Sequence, residues 1–180
     1  MLKIAYSDIF RYSVPEKHRF PMQKYTMIPE RLLAEGTITS DNFFAPKRLS
    51  EEEILTTHTA DYWQQLKTQT LPRKEARAIG FEMTPELVER GRYIAHATYE
   101  CALYAQQYGV AMNVAGGTHH AFADHGEGFC VFNDVCIASN LLLNPPSGFE
   151  APSDSLANYL QSMIWEVVTT YPRTGITESP

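Results

Sequence analysis

The sequence predicts an α/β domain, and three observations carry that prediction. LKIAYS (2–7) is a short apolar run that reads as a buried strand. TPELVERGRYIAHATYECALYAQQYG (84–109) has the marks of a long helix: Thr84 at the cap, Pro85 at the first helical position and Gly109 just past the end. VAMNVAGG (110–117) follows at once and reads as a second strand running into a glycine turn. Strand, long helix and strand, with loops leaving the strand ends, is the arrangement of an α/β fold. Its ligands gather at the carboxyl ends of the strands.

The remaining elements follow in order. After the first strand comes a polar loop with Pro15, His18, Arg19 and Pro21. MIPERLLAEG (27–36) predicts a helix closed by Gly36. SEEEILTTHTADYWQQLKTQ (50–69) predicts one helix, with Ser50 as cap, Glu53 three residues later and acidic residues in its first turn. FCVFNDVCIASNLLL (129–143) is ambiguous between strand and helix at first, and a helix is expected from about Asn133. NPPSGFEAPSDS (144–155) changes texture, with three prolines, and reads as a linker. From residue 155 to 171, Leu156, Tyr159, Leu160, Met163, Ile164, Val167, Val168 and Tyr171 fall at helical spacing and predict one apolar face.

Composition narrows the function. The 180 residues are 44% hydrophobic and 20% charged, which suits one globular domain, and the net charge is −6. That balance argues against direct nucleic-acid binding, which needs a basic surface. Cys101, Cys130 and Cys136 are odd in number and form no C-x-x-C pair, so neither a disulfide framework nor a cysteine zinc site is indicated. No apolar window reaches the length of a membrane span, and the start lacks a leader pattern. A cytoplasmic protein without membrane contact is expected.

The chemistry concentrates in GGTHHAFADHGEGFCVFNDV (116–135). Histidine changes charge nearest neutral pH. Two in sequence at a strand end reach one pocket only where the backbone bends sharply, which Gly116 and Gly117 allow. Adjacent imidazoles also bias each other's protonation, a way of setting a general base beside an electrostatic partner. The plain alternative is a pair of loop histidines with no task.

The wider pattern resembles the zinc-dependent histone deacetylase family, of the arginase–deacetylase group and its class IV-like single-domain type. The matching residues are Gly116, Gly117, His119, His120, Ala121, Gly128, Phe129, Cys130, Asn133 and Asp134. THTADYW (57–63), with His58 and Tyr62, and HRFPMQKY (18–25) extend the similarity upstream. The resemblance implies a partial three-layer parallel sheet with helices. It also implies hydrolysis of acetylated lysine or a related acylated amine with zinc as cofactor. By that resemblance, His119 and His120 are the catalytic pair, Phe129 walls the channel for the lysine stem, and Gly128 brings backbone close to it. Asn133 and Asp134 are expected to shape the turn and the helix start. Cys130 is expected to pack, as are His58 and Tyr62.

The family's metal ligands include an Asp-x-His pair on a following strand. No Asp-x-His occurs in this sequence and no histidine follows His125. No residue is therefore assigned as a metal ligand, and zinc binding by this chain is not expected. Residues 1–143 are expected to form the N-terminal part of a deacetylase-like domain, 144–154 a Pro-rich linker, and 155–180 a divergent tail carrying the amphipathic helix. A truncated gene, a frameshift or a recombined reading frame would each produce such a chain, and it is expected to be inactive alone. Two other readings stand beside this one. One is a noncatalytic interaction module that self-associates through an exposed sheet edge or residues 155–171. The other is a small metal-binding protein using His119, His120, Asp124 and His125.

Overall fold

The computed structural model describes residues 1–144. Residues 145–180, which hold the expected linker and amphipathic helix, lie outside the described residues. Three short parallel strands form a sheet in the order β2–β1–β3: β1 (Lys3–Ala5), β2 (Phe43–Phe44) and β3 (Ala111–Asn113). Ile4 of β1 stands opposite Phe43 on one side and Met112 on the other. Ile4 and Ala5 are fully buried, as expected of a strand with neighbours on both sides.

The connections are helical. Between β1 and β2 runs α1 (Lys24–Ala34), longer at its start than the sequence suggests, with Pro29 inside it. Between β2 and β3 come α2 (Glu51–Leu55), α3 (Ala60–Thr68), α4 (Arg73–Ile79) and α5 (Pro85–Tyr108). After β3, α6 (Asp134–Leu143) packs along α5.

The capping signals work as read at α2 and α5. Ser50 and Glu53 exchange a capping box: the Ser50 N–H donates to Glu53 Oε2 at 2.6 Å and the Glu53 N–H to Ser50 Oγ at 3.1 Å. The Leu87 N–H donates to Thr84 Oγ1 at 3.2 Å, and Gly109 closes α5 in the left-handed conformation.

The single helix expected over 50–69 is two. Thr59 is extended and accepts from the Tyr62 N–H, so it caps a fresh helix, and its own N–H donates to Ala123 O at 2.9 Å. A second cap inside an amphipathic run competes with helix continuation, and here the bond to the 116–135 loop decides for the break. His58 drops into the core at that break.

The core lies between α5, α6, α3 and the sheet, around Phe10, Leu49, Ile54, Tyr62, Leu87, Ile94 and Phe132. Two arginines of α5 are buried with it. Arg92 caps the Leu49 carbonyl with Nε at 2.8 Å and with Nη2, and lies over the Trp63 ring. Among the described residues, no helix is long and apolar enough to cross a membrane.

Candidate active site

The loop after β3 is built from its two ends. Gly117 turns the chain with φ +86°, where an L side chain is strained. The carboxylate of Asp134, fully buried at the first residue of α6, accepts from the Gly117 N–H at 2.9 Å, the Thr118 N–H at 2.6 Å and the Thr98 hydroxyl at 2.6 Å. Thr118 Oγ1 in turn accepts from the Asp134 N–H. Asn133 holds the next stretch: its amide Nδ2 donates to Ala121 O at 2.8 Å and His119 O at 3.3 Å, while Oδ1 caps α6 by accepting from the Cys136 N–H. The Asn-Asp at the end of the motif thus holds Gly117, Thr118, His119 and Ala121 near its beginning.

His119 and His120 stand side by side, with ring centroids 4.4 Å apart, and both are exposed. Gly128 backs onto His120: a Cβ there would lie 3.2 Å from the His120 Cβ, and its φ is +57°. Phe129 follows with φ +70°, a left-handed conformation that costs a non-glycine residue on the order of 1 kcal/mol. Its surroundings hold it there. The Gly128 and Phe129 N–H groups donate to Ala78 O and Ile79 O at the end of α4, and the Phe129 ring packs 5.2 Å from both Phe20 and Phe81. His18 stacks on Phe81 at 5.2 Å. Its Nδ1 accepts from the Phe20 N–H, so Nε2 carries the proton and donates to Gly80 O at 2.9 Å.

A cavity of about 130 Å³ is lined by residues 115–120 and 128–130 together with Phe20, Lys24, Tyr25 and Arg90. The structure therefore gathers His119, His120, Gly128 and Phe129 at one cavity. Lys24 and Arg90 were not singled out in the sequence. Lys24 lies within HRFPMQKY, and Arg90 is a charge among the apolar positions of α5, which was the available signal.

His58 lies beneath the loop, 2% exposed. Its Nε2 accepts from the Asn133 N–H at 3.1 Å, which leaves the proton on Nδ1, facing Ala123 O at 3.3 Å. Burial pushes its pKa from an ordinary 6.5 down to about 4. The unfolded chain therefore binds the proton first, so this contribution to stability is complete above pH 6.5 and lost as pH falls toward 4. The loss amounts to about 3 kcal/mol. Urea midpoints at pH 7.5 and 4.5 are expected to differ accordingly, and His58→Gln to flatten the difference. Tyr62 is also buried; its hydroxyl donates to Val131 O at 2.8 Å, and burial pushes its pKa up.

The residues near the cavity do not fit a zinc site. The Asp134 carboxylate is committed to three donors. Burial pushes the Cys130 thiol up to about 11. Asp124 and His125 bond to each other at 2.6 Å, and the His125 ring stacks on Phe122. Among the described residues, no three of His, Cys, Asp and Glu are grouped to hold a metal, so the four-residue site of His119, His120, Asp124 and His125 has no geometry behind it.

A family model described as the histone deacetylase domain matches residues 18–148. An uncharacterised protein of Picosynechococcus sp. is 34% identical over 139 residues, 77% of this chain and 46% of that protein. The acetoin utilization protein AcuC of Bacillus subtilis is 29% identical, over 71% of this chain and 35% of its own length. The crystal structure of a histone deacetylase homologue from Aquifex aeolicus superposes with a TM-score of 0.62 at 25% identity, covering 78% of this chain and 41% of that one. A structure of such a homologue complexed with SAHA gives a TM-score of 0.62 at 27% identity. The chain spans less than half the length of these relatives.

Proposed function

This chain belongs to the histone deacetylase family, and from that premise we propose that it forms the acyl-lysine-binding and proton-transferring part of a deacetylase site. The observation that carries the reading is the placement of His119 and His120, in ring contact, on the same cavity as Gly128 and Phe129. The Phe129 ring offers an apolar wall for a lysine stem, and Gly128 leaves room for it beside His120. One imidazole of the pair takes a proton from attacking water and the other stabilises charge or returns a proton to the leaving amine. The family uses zinc to polarise the acyl carbonyl. The described residues supply no ligand set for it, so hydrolysis by this chain alone is not expected.

The test is binding. Nε-acetyl-lysine methylamide titrated into chain labelled at histidine is expected to shift the imidazole resonances of His119 and His120, leaving His58 unmoved. Phe129→Ala should weaken that response by several-fold. No response at His119 and His120 up to millimolar ligand would overturn the reading.

A second reading has an observation of its own. Among the described residues β3 ends the sheet, and Val110 (56% exposed) and Met112 (37%) stand exposed there. An open apolar strand edge is a template for another chain. If this edge mediates self-association, the mass by light scattering rises with concentration and Met112→Lys lowers it; a concentration-independent monomer mass would dismiss the module.

A further inference from the structure

Away from the histidine cavity, α4 carries two arginines without a partner in the fold. Arg73 and Arg77 line an open groove of about 350 Å³, together with Ala76, Gly80 and Phe81. Both arginines are exposed, as is Lys74 beside them. Glu75, the one acid of α4, is half-buried and lies outside the groove lining. The chain has 21 acidic and 15 basic residues, so carboxylates are in surplus. Other exposed arginines use them: Arg11 pairs with Asp8, Arg31 with Glu35 at 2.7 Å, and Arg48 with Glu89. Arg19 lies 5.9 Å over the Phe129 ring. Arg73 and Arg77 meet no carboxylate among the described residues.

Helix stability does not account for the pair. Arg77, in the last turn, suits the helix dipole, but Arg73 stands at the first residue of α4 and opposes it. Like charges four residues apart also repel. The arrangement therefore costs α4 something and is balanced by an anionic partner. Its spacing says which kind. Side chains four apart on a helix stand about 6 Å apart. Alternate side chains of an extended peptide share one face and are about 7 Å apart. Two carboxylates at i and i+2 of such a peptide thus match the two guanidinium forks. A nucleic-acid backbone fits less well. It needs a longer run of cations, on a surface that does not repel it, and this chain has a net charge of −6.

We propose that the α4 groove docks an acidic peptide segment of a partner protein, in extended form, with carboxylates at alternate positions received by Arg73 and Arg77. The groove shares no lining residue with the histidine cavity, so the proposal does not rest on the acyl-lysine reading.

The test titrates two peptides into the full chain, capped Glu-Ser-Glu-Ser-Glu and its neutral counterpart Gln-Ser-Gln-Ser-Gln, and follows the backbone amide resonances of residues 73–81. The acidic peptide is expected to bind about tenfold more tightly than the neutral one, the scale of one charge-assisted hydrogen bond, and to weaken as salt is raised. The double change Arg73→Gln, Arg77→Gln should bring the ratio near unity, whereas Arg31→Gln should leave it unchanged. Arg73 and Arg77 are exposed, so the double change tests charge without disturbing the core. Equal affinity for the two peptides, no response at residues 73–81, or acidic-peptide binding that survives the double change would overturn the proposal. An oligothymidylate that shifts the same resonances at lower concentration than the acidic peptide would also overturn it and give the groove to nucleic acid.

Discussion

Replacing Asp134 by alanine is expected to destabilise the chain by about 4 kcal/mol, read as a fall in the urea midpoint. The carboxylate is fully buried and accepts from two backbone N–H groups and one hydroxyl. Alanine leaves the Gly117 and Thr118 amides without partners where they cannot all regain water, and each such orphan costs on the order of 1–3 kcal/mol. Asp134→Asn keeps one acceptor oxygen and turns an amide donor toward the other N–H, so it should cost about half as much. The histidine pair should feel the change too, because Gly117 and Thr118 lead directly into His119. The imidazole response to acetyl-lysine should fade even below the unfolding transition. A loss under 1 kcal/mol would mean that the loop is held by something other than this carboxylate.

Phe132→Ala carries the other large effect, about 3–5 kcal/mol. Phe132 is 2% exposed and packs edge-on to His58 at 5.4 Å and beside Trp63 at 6.2 Å. It also lies so near Gly91 that a Cβ there would meet its ring at 2.9 Å. The ring thus joins α5, the break between α2 and α3, and the residue that precedes the Asn133 cap. Removing it leaves a cavity at that junction, and the surroundings are rigid helices that close it poorly. Phe132→Leu, which retains most of the volume, should cost less than half as much, as measured by the same denaturation.

Much of this was legible in the sequence because it is local. Thr84, Pro85 and Gly109 mark α5 to the residue, and Asn133 marks the start of α6. The glycine–histidine loop announces itself as a dense motif. The split between α2 and α3 was not legible, because Thr59 caps a helix only once Ala123, far along the chain, takes its N–H. Strand β2 is two residues long and has no alternation to read. The left-handed Phe129 was hidden for a similar reason: its conformation is imposed by Ala78 and Ile79 and by packing on Phe20 and Phe81. Lys24 and Arg90 come from different helices, and only the fold shows that they share a cavity wall.

The role of Asn133 and Asp134 shows how the pattern works physically. The sequence reads His119 and His120 as catalytic, and Asn133 and Asp134 as shaping the turn and the helix start. In the structure those last two side chains make more of the loop's hydrogen bonds than the histidines do. Their spacing from the glycines sets the loop length over which an α6 terminus can reach back to the end of β3.

The proposed role is that this chain supplies the imidazole pair and the channel wall of a deacetylase site, with no metal-ligand set among the described residues. Zinc content of the purified 180-residue chain, measured together with hydrolysis of an acetyl-lysine reporter in added zinc, tests it most directly. The account predicts no stoichiometric zinc and no turnover above buffer. Close to one zinc per chain, with turnover abolished by His119→Ala, would contradict it and show that the chain completes the metal site by itself.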